Sequence, residues 1–433
     1  PAVKVAADQS ARKDFEGSDL IVAEEQTVSY GNPTLRFTHR TARVTVVLTD
    51  YTEERMFVRL TGLSTENGNP AQITPYNKGG DTYTALVAPQ SVATGTAFIT
   101  CKFTNGKVFV YKMKNDTDWQ AGKEYTYTVS LAAAKDPGYT VSEDGKTYTV
   151  TSADGLLAWN EAVQKDMTLN CTLADNIDLT GKDWTPIGTS FGNSYTGTFD
   201  GNGKTITGLT VTGSDRYTGL FGFIKGTVKN VVLTEINITS GTFVSGVAGW
   251  SFGGNIENCS VSGSVSGSDV GGVVGYQQGG SITGCSSSAT VKGTQRAGGV
   301  AGTTNSGATL TACYATGDVT VENDGTSNAW AGGVVGSNAY STVIACYAAG
   351  NVSGTGSGTI HVGGVTGENF DGTLTACYWS GLPDNDNGGA TKVDGTTVTW
   401  QTAVAAMNAA LSGKGWQYEL KDGNSLPTLK KEQ

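Results

Sequence analysis

An all-β chain in two parts, a β-sandwich followed by a parallel β-helix with short capping helices, is predicted by three observations. A glycine block recurs with a period near 27 residues: SGVAG at Ser245–Gly249, GGVVG at Gly271–Gly275, GGVAG at Gly298–Gly302, GGVVG at Gly332–Gly336 and GGVTG at Gly363–Gly367. A cysteine follows each block at a step of 10, 10, 11, 10 and 10 residues: Cys259, Cys285, Cys313, Cys346 and Cys377. Before Lys135 the repeat is absent, and short alternating runs separated by turn residues take its place. A fixed period of this size marks an architecture in which neighbouring units share one core.

The repeat type follows from composition. The units are rich in Val, Thr, Ser and Gly and poor in Leu and charge. Valine and threonine fit a pleated sheet, and glycines cut it into short runs. Leucine-rich repeats need more leucine, propeller blades need longer units, and helical repeats do not carry this much glycine. A coil of parallel β-helix remains. Aligning the units stacks Ile256, Ile282, Leu310, Val343 and Leu374 in one column and Val265, Val291, Val319 and Val352 in another. Coils of a solenoid rise by about 4.8 Å, the interstrand spacing.

The flanks read as caps. Ser152 is placed to N-cap a helix carrying Leu156, Leu157, Trp159, Ala162 and Val163. Thr399 precedes Trp400, Ala403, Val404, Met407 and Leu411, with Gly413 as the stop. These two helices are expected to cover the open ends, where unpaired strands would aggregate.

Composition bounds the function. The chain has 433 residues, 61 glycines, 16% charged residues and a net charge of −10, which argues against nucleic acid. No stretch approaches the length of a membrane span. Pro1 is not a native start, so any leader or lipid anchor is expected upstream of this chain, and membrane attachment only through it. Equivalent cysteines one coil apart lie too far apart for a disulfide, so the five are expected to be free, buried and apolar in role. With only His39 and His361 in the chain, no metal site or cofactor is expected. PDNDNGG, with Asp384, Asp386 and Gly388, lacks the closing Glu of a calcium loop and is expected to be a polar turn.

In the first part, strands are expected over Thr34–Thr38, Ala42–Thr49, Met56–Thr61, Thr82–Ala88, Ala97–Phe103, Lys107–Met113 and Lys123–Leu131. The domains are expected at 1–134 and 135–433, joined by a linker at Ala132–Gly138 that contains Pro137. The run Leu35, Phe37, His39, Ala42 and Val44 resembles the L-x-F-x-H-x-x-A-x-V strand of fimbrillin-like proteins, the type V pilus subunits of Gram-negative anaerobes. DLIVA at Asp19–Ala23, VAPQS at Val87–Ser91 and AGKEYTYTVSL at Ala121–Leu131 match in order. The resemblance implies a transthyretin-like sandwich whose amino-terminal companion sandwich is missing, and partnership with other pilus subunits through β-strand addition. WTPIG at Trp184–Gly188, YTGTFDGNGKTITGL at Tyr195–Leu209, GLFG at Gly219–Gly222 and SLPTL at Ser425–Leu429 resemble the GLUG-motif repeat family, over roughly 140–433. The pairing implies a pilus tip or accessory subunit, or an adhesin, on the cell surface or outer membrane of a Gram-negative bacterium.

Candidate binding residues fall in two sets. The step from each cysteine to the next glycine pair is 12, 13, 19 and 17 residues, so insertions collect on one side, often the binding side of a repeat protein. Just before the glycine pairs stand Asp269, Arg296, Trp330 and His361. After the blocks come Trp250, Tyr276, Tyr340 and Phe370, rings able to stack on a sugar or to shield a corner of the core. A host glycan or protein is the expected ligand. Some β-helices cleave polysaccharides, which requires paired carboxylates or calcium-binding acids, and the repeats carry few acids in no shared column. No catalytic residues are assigned, and the chain is not expected to be an enzyme.

Overall fold

The computed structural model describes residues 3–27, 30–31, 34–50, 56–103, 108–131, 138–325, 327–421 and 425–432. The chain divides into two compact units, 1–140 and 141–433.

The first unit packs two main sheets around one core. Four strands run in the order Glu124–Ser130, Ala42–Thr49, Thr82–Val87 and Tyr76–Gly79, and three in the order Met56–Leu60, Ala97–Phe103 and Val108–Lys112. Val44, Val46 and Leu48 from one sheet meet Val58, Leu60, Phe98 and Cys101 from the other in a shared buried cluster. Glu124–Ser130 pairs parallel to Ala42–Thr49, while the other pairs in these two sheets are antiparallel. Three expectations need correction. Of Thr34–Thr38 only Thr38 joins a strand, Thr38–His39, because Leu35 and Phe37 remain half or more exposed and gain nothing from pairing. Tyr76–Gly79 and Gln90–Val92 are strands without a clear period-2 signal. In Val108–Lys112 four successive residues are half-buried, so alternation does not separate two faces there.

The second unit is a stack of coils, about seven turns of β-solenoid, built from sheets of ten, seventeen and six strands. One coil shows the plan: Ala248–Phe252 in the six-stranded sheet, Asn255–Glu257 in the ten-stranded sheet, then Ser260–Gly271 in the seventeen-stranded sheet. The pairings between successive repeat coils are parallel, and the predicted columns are in register. Ile256 pairs with Ile282, Ile282 with Leu310, Leu310 with Val343, and Val343 with Leu374. Val265 pairs with Val291, Val291 with Val319, and Val319 with Val352. All seven cysteines are free and buried. Each repeat thiol donates to carbonyls of its own and the preceding coil, as Cys285 does to Thr283 at 3.5 Å and Ile256 at 3.6 Å. Burial pushes the Cys285 and Cys346 thiols up, and that of Cys101 up to about 12.

Glycine at the block permits the sharpest corner. A Cβ on Gly271, Gly298, Gly332 or Gly363 would overlap the carbonyl oxygen three residues on, that of Val274, Ala301, Val335 and Thr366 respectively. A polar ladder runs beside this corner, inside the six-stranded sheet. Thr304 donates to Asn338 at 2.7 Å, and Asn338 donates to Asn369 at 2.7 Å.

The amino-terminal cap is as expected. Ser152 Oγ accepts from Gly155 N at 3.2 Å, and Leu156, Trp159 and Val163 are fully buried. The Trp159 ring meets Tyr195, Phe199 and Phe221 at the mouth of the first coils. The other helix, Trp400–Ala410, forms with Thr399 as its cap but does not cover the open end. With the hairpin Trp416–Glu419 and Thr428–Lys431 it packs on the flank, against Ala312, Ala345, Tyr347, Tyr314 and Tyr378. Those tyrosines form an apolar stripe that an apolar helix face can cover. The open end needs acceptors instead. In interior coils Val334 N and Val335 N both donate to Val365 O in the next coil. In the last coil Val365 N and Thr366 N donate to the Asp386 carboxylate at 2.8 and 2.7 Å, so one side chain replaces the missing coil. The PDNDNGG turn is this cap.

The expected linker falls largely on 132–137, outside the described residues. Limited proteolysis is expected to cut between 132 and 140 and release a stable carboxy-terminal fragment. A single resistant core with no cut there would count against two separable domains.

Candidate functional site

The side chain two residues before each glycine pair lands at one register position. Strand pairing sets Asp269 beside Arg296, Arg296 beside Trp330, and Trp330 beside His361. The column continues backwards, with Phe243 beside Asp269 and Tyr217 beside Phe243. All four predicted residues are therefore brought together, and Tyr217 and Phe243 were missed. Their signal was present: each lies two residues before the glycine or serine that opens its block, in TGLFG and SGVAG.

The contacts along the column are those of like or complementary groups one coil apart. Tyr217 and Phe243 stack at 5.7 Å with planes 10° apart. Arg296 Nη1 donates to Asp269 Oδ1 at 2.7 Å and lies over the Trp330 ring at 5.2 Å. Trp330 and His361 stack at 6.0 Å and 12°. The Asp269 side chain is only 3% exposed, against 32% for Arg296. Burial pushes the Asp269 carboxyl up, and Arg296 pulls it back.

A second column rises from the six-stranded sheet: Phe223, Trp250, Tyr276, Thr303, Ser337 and Glu368, each beside the next. Trp250 stacks on Tyr276 at 4.3 Å and on Phe223 at 5.8 Å. Edge-to-face contacts join the two columns: Tyr217 with Trp250, Phe243 with Trp250 at 4.7 Å, and Phe243 with Tyr276 at 5.5 Å. Trp250 and Tyr276 therefore belong to the same surface as Asp269, although the sequence placed them in separate sets. Their rings largely cover one another, as corner shielding requires. Toward the other end the surface changes to Arg296, Trp330 and His361, with Glu368 accepting from the Ser337 hydroxyl at 2.5 Å. The inserted residues lead into this end: Val319–Asn323 pairs with Val352–Gly356 just before Trp330 and His361. Tyr340 and Phe370 stand apart from both columns. They form their own edge-to-face pair at 5.2 Å and are 54% and 53% exposed.

Chemically the surface offers stacking faces, hydroxyl acceptors and two guanidiniums, Arg296 over Trp330 and Arg216 over the Tyr217 and Phe243 rings. Its one fully buried acid is paired. No group of three or more His, Cys, Asp or Glu able to hold a metal occurs among the described residues. Removing the guanidinium in Arg296→Ala is expected to destabilise the solenoid by about 3–5 kcal/mol at neutral pH, since a buried charge is left alone. The sign with pH follows from the raised carboxyl. A folded-state pKa above the unfolded value gives stability at low pH that is lost as pH rises through the folded pKa. The variant should therefore regain stability on acidification toward and below the ordinary carboxylate range, and Asp269→Asn in the same chain should restore it at neutral pH. Melting curves across pH measure both; a pH-independent loss would contradict the assignment.

Fold similarity extends to a Bacteroides ovatus protein described as a "putative immunoglobulin A1 protease", with a TM-score of 0.53 at 20% identity over 66% of this chain and 93% of that one. At that identity the likeness concerns the fold. A fimbrial protein from Bacteroides ovatus superposes with a TM-score of only 0.20 at 18% identity, over 33% of each chain. Halomucin from Haloquadratum walsbyi is 35% identical over 108 residues, 22% of this chain, and the match spans 1% of that much longer protein. Family models match twice along the chain. Residues 1–150 form a fimbrillin-like domain, and residues 246–266 and 266–292 of the solenoid that follows are GLUG motifs.

Proposed function

We propose that the protein is a cell-surface adhesin or pilus accessory subunit whose solenoid presents the two-column surface to a host glycan or protein. The observation that carries this is the order of parts: a fimbrillin-like domain, matched over 1–150, precedes a solenoid with a continuous column of Tyr217, Phe243, Asp269, Arg296, Trp330 and His361. The fimbrillin-like half supports association with other pilus subunits, by strand addition to a sheet edge. The closure of the last coil by Asp386 supports a terminal position, because a covered end stops further strand pairing. No helix among the described residues is long and apolar enough to cross a membrane. Attachment at the outer membrane of a Gram-negative cell through a pilus fits this reading.

Binding rather than catalysis fits the acids. Hydrolysis of a glycosidic bond needs two carboxylates facing one bond. Asp269 is held by Arg296, and Glu368 accepts from Ser337. A polysaccharide-degrading reading rests on the β-helix architecture alone, and release of reducing ends from neutral or acidic polysaccharides would revive it.

Trp330→Ala, and separately shortening of 321–328, are expected to cut attachment to host cells by about tenfold or more, the usual scale for a buried aromatic anchor. Cell-binding measurements on folded variants check this, and unchanged attachment would remove that surface. Immunogold labelling spaced along a pilus shaft would reject the terminal position.

A further inference from the structure

The outer edge of the six-stranded sheet carries a second, different set of side chains. Pairing sets Phe252 beside Gln278 and Gln278 beside Asn305, and further along it sets Ala339 beside Phe370. Tyr340 occupies the turn after Ala339. Two exposed aromatic pairs mark the ends of this ridge. Phe252, 36% exposed, meets Phe191, 57% exposed, edge to face at 5.0 Å and 82°. Tyr340 meets Phe370 in the same way at 85°. Four coil steps separate Phe252 from Phe370, or about 19 Å at the interstrand spacing.

Between the aromatic ends lie polar, uncharged groups. Among the described residues the Gln278 side-chain amide has no hydrogen-bond partner. Asn305 Nδ2 donates to the Tyr276 hydroxyl at 3.0 Å, which leaves that hydroxyl's proton to donate outward, while Asn305 Oδ1 accepts from Ser306 N at 2.6 Å, so Asn305 offers a ligand only its second amide proton. The nearby cation, Lys225, donates to Phe191 O at 2.9 Å and lies over the Phe191 ring, 3.4 Å from its centroid, so one face of that ring is taken and Phe252 is the free ring at this end. The turns that carry these groups are pinned from inside. Buried Gln277 donates to Gly279 O at 2.6 Å and Gly254 O at 3.1 Å, Asn338 to Ser341 O at 3.4 Å, and Asn369 to Gly372 O at 3.0 Å. The ridge is thus held in place before any ligand arrives, which lowers the ordering cost of binding.

We infer that this ridge is a track for an extended, neutral polysaccharide, with about one sugar per coil. Exposed rings at both ends supply faces for the C–H side of a pyranose ring. Amides and a phenol hydroxyl between them match sugar hydroxyls, which both donate and accept. A neutral glycan is favoured over an acidic one because Phe252, Gln278, Asn305, Tyr340 and Phe370 carry no charge, the cation beside them, Lys225, is held on the Phe191 ring and carbonyl, and the chain as a whole carries −10. The assignment names a ligand class for the solenoid and rests on the binding reading above, but it uses a ridge separate from Trp330 and His361.

Calorimetric titration of the full chain with cello-, xylo- and manno-oligosaccharides of graded length, with oligogalacturonides as the acidic control, tests it. One neutral series should bind with affinity that rises with length and levels near about five sugars. Phe252→Ala and Phe370→Ala should each weaken that binding about tenfold, and Gln278→Ala about threefold. These side chains are exposed or half-buried, so the variants should melt like the parent. No binding of any neutral series, tighter binding of oligogalacturonides, or unchanged binding in folded Phe252→Ala and Phe370→Ala would overturn the track. Trp330→Ala separates the two readings. If it keeps neutral-glycan binding, the track stands even where cell attachment fails. If it abolishes glycan binding while Phe252→Ala does not, the ridge is excluded.

Discussion

The solenoid depends on one steric constraint: at each block two strands meet with nothing but backbone between them. A side chain at Gly298 would overlap Ala301 O and would lie 2.6 Å from Gly336 N in the next coil. The second glycine of each pair is confined as well, since a Cβ on Gly299 would meet Gly333 O and the Ala315 methyl. The last glycine is confined by the preceding coil, since a Cβ on Gly302 would lie 2.6 Å from Gly275 O. In four of the five blocks three glycines in five residues mark this close-packed corner, while SGVAG opens on Ser245 at the position aligned with Gly271.

Much follows from that corner. Because the chain reverses at the same place in each coil, equivalent residues fall into register, and like groups stack at the interstrand spacing. Apolar columns fill the interior. Amides form a ladder in which each donates to the next. On the outside the residue two before the corner repeats as a column, which is how Asp269, Arg296, Trp330 and His361 become neighbours despite wide separation in sequence. A stack also has ends, and each is closed by its own chemistry. Trp159 plugs the aromatic first coils, and Asp386 accepts the amide protons that a further coil would have taken.

The register was legible in the sequence because the glycine-to-cysteine step hardly varies; the Ile256 and Val265 columns needed only alignment. The first column of the surface was legible for the same reason, but only over four units, since it was counted back from glycine pairs, and neither SGVAG nor GLFG has such a pair to extend it to Phe243 and Tyr217. The joining of Trp250 to Phe243 was not legible, because it depends on how closely two sheets approach at the corner. The place of Trp400–Ala410 was misread for a related reason. Its apolar stripe shows that it covers something apolar, but whether that is an end or the Tyr314, Tyr347 and Tyr378 flank is decided by three-dimensional placement. In the first unit the parallel pairing of Glu124–Ser130 with Ala42–Thr49 leaves no trace in alternation, which is the same for either direction.

The most direct test of this account is thermal denaturation of Gly298→Ala beside Gly307→Ala. Gly307 lies in an exposed turn where a Cβ would meet nothing within 4 Å, although its φ of +78° makes alanine there mildly strained. Gly298→Ala is predicted to lower the solenoid's melting midpoint by roughly 5 °C or more, the effect of about 3 kcal/mol of overpacking in a unit of this size. Gly307→Ala should cost no more than about 1–2 kcal/mol. Equal midpoints for Gly298→Ala and the parent would contradict the claim that bare backbone contact at the glycine corner sets the fold.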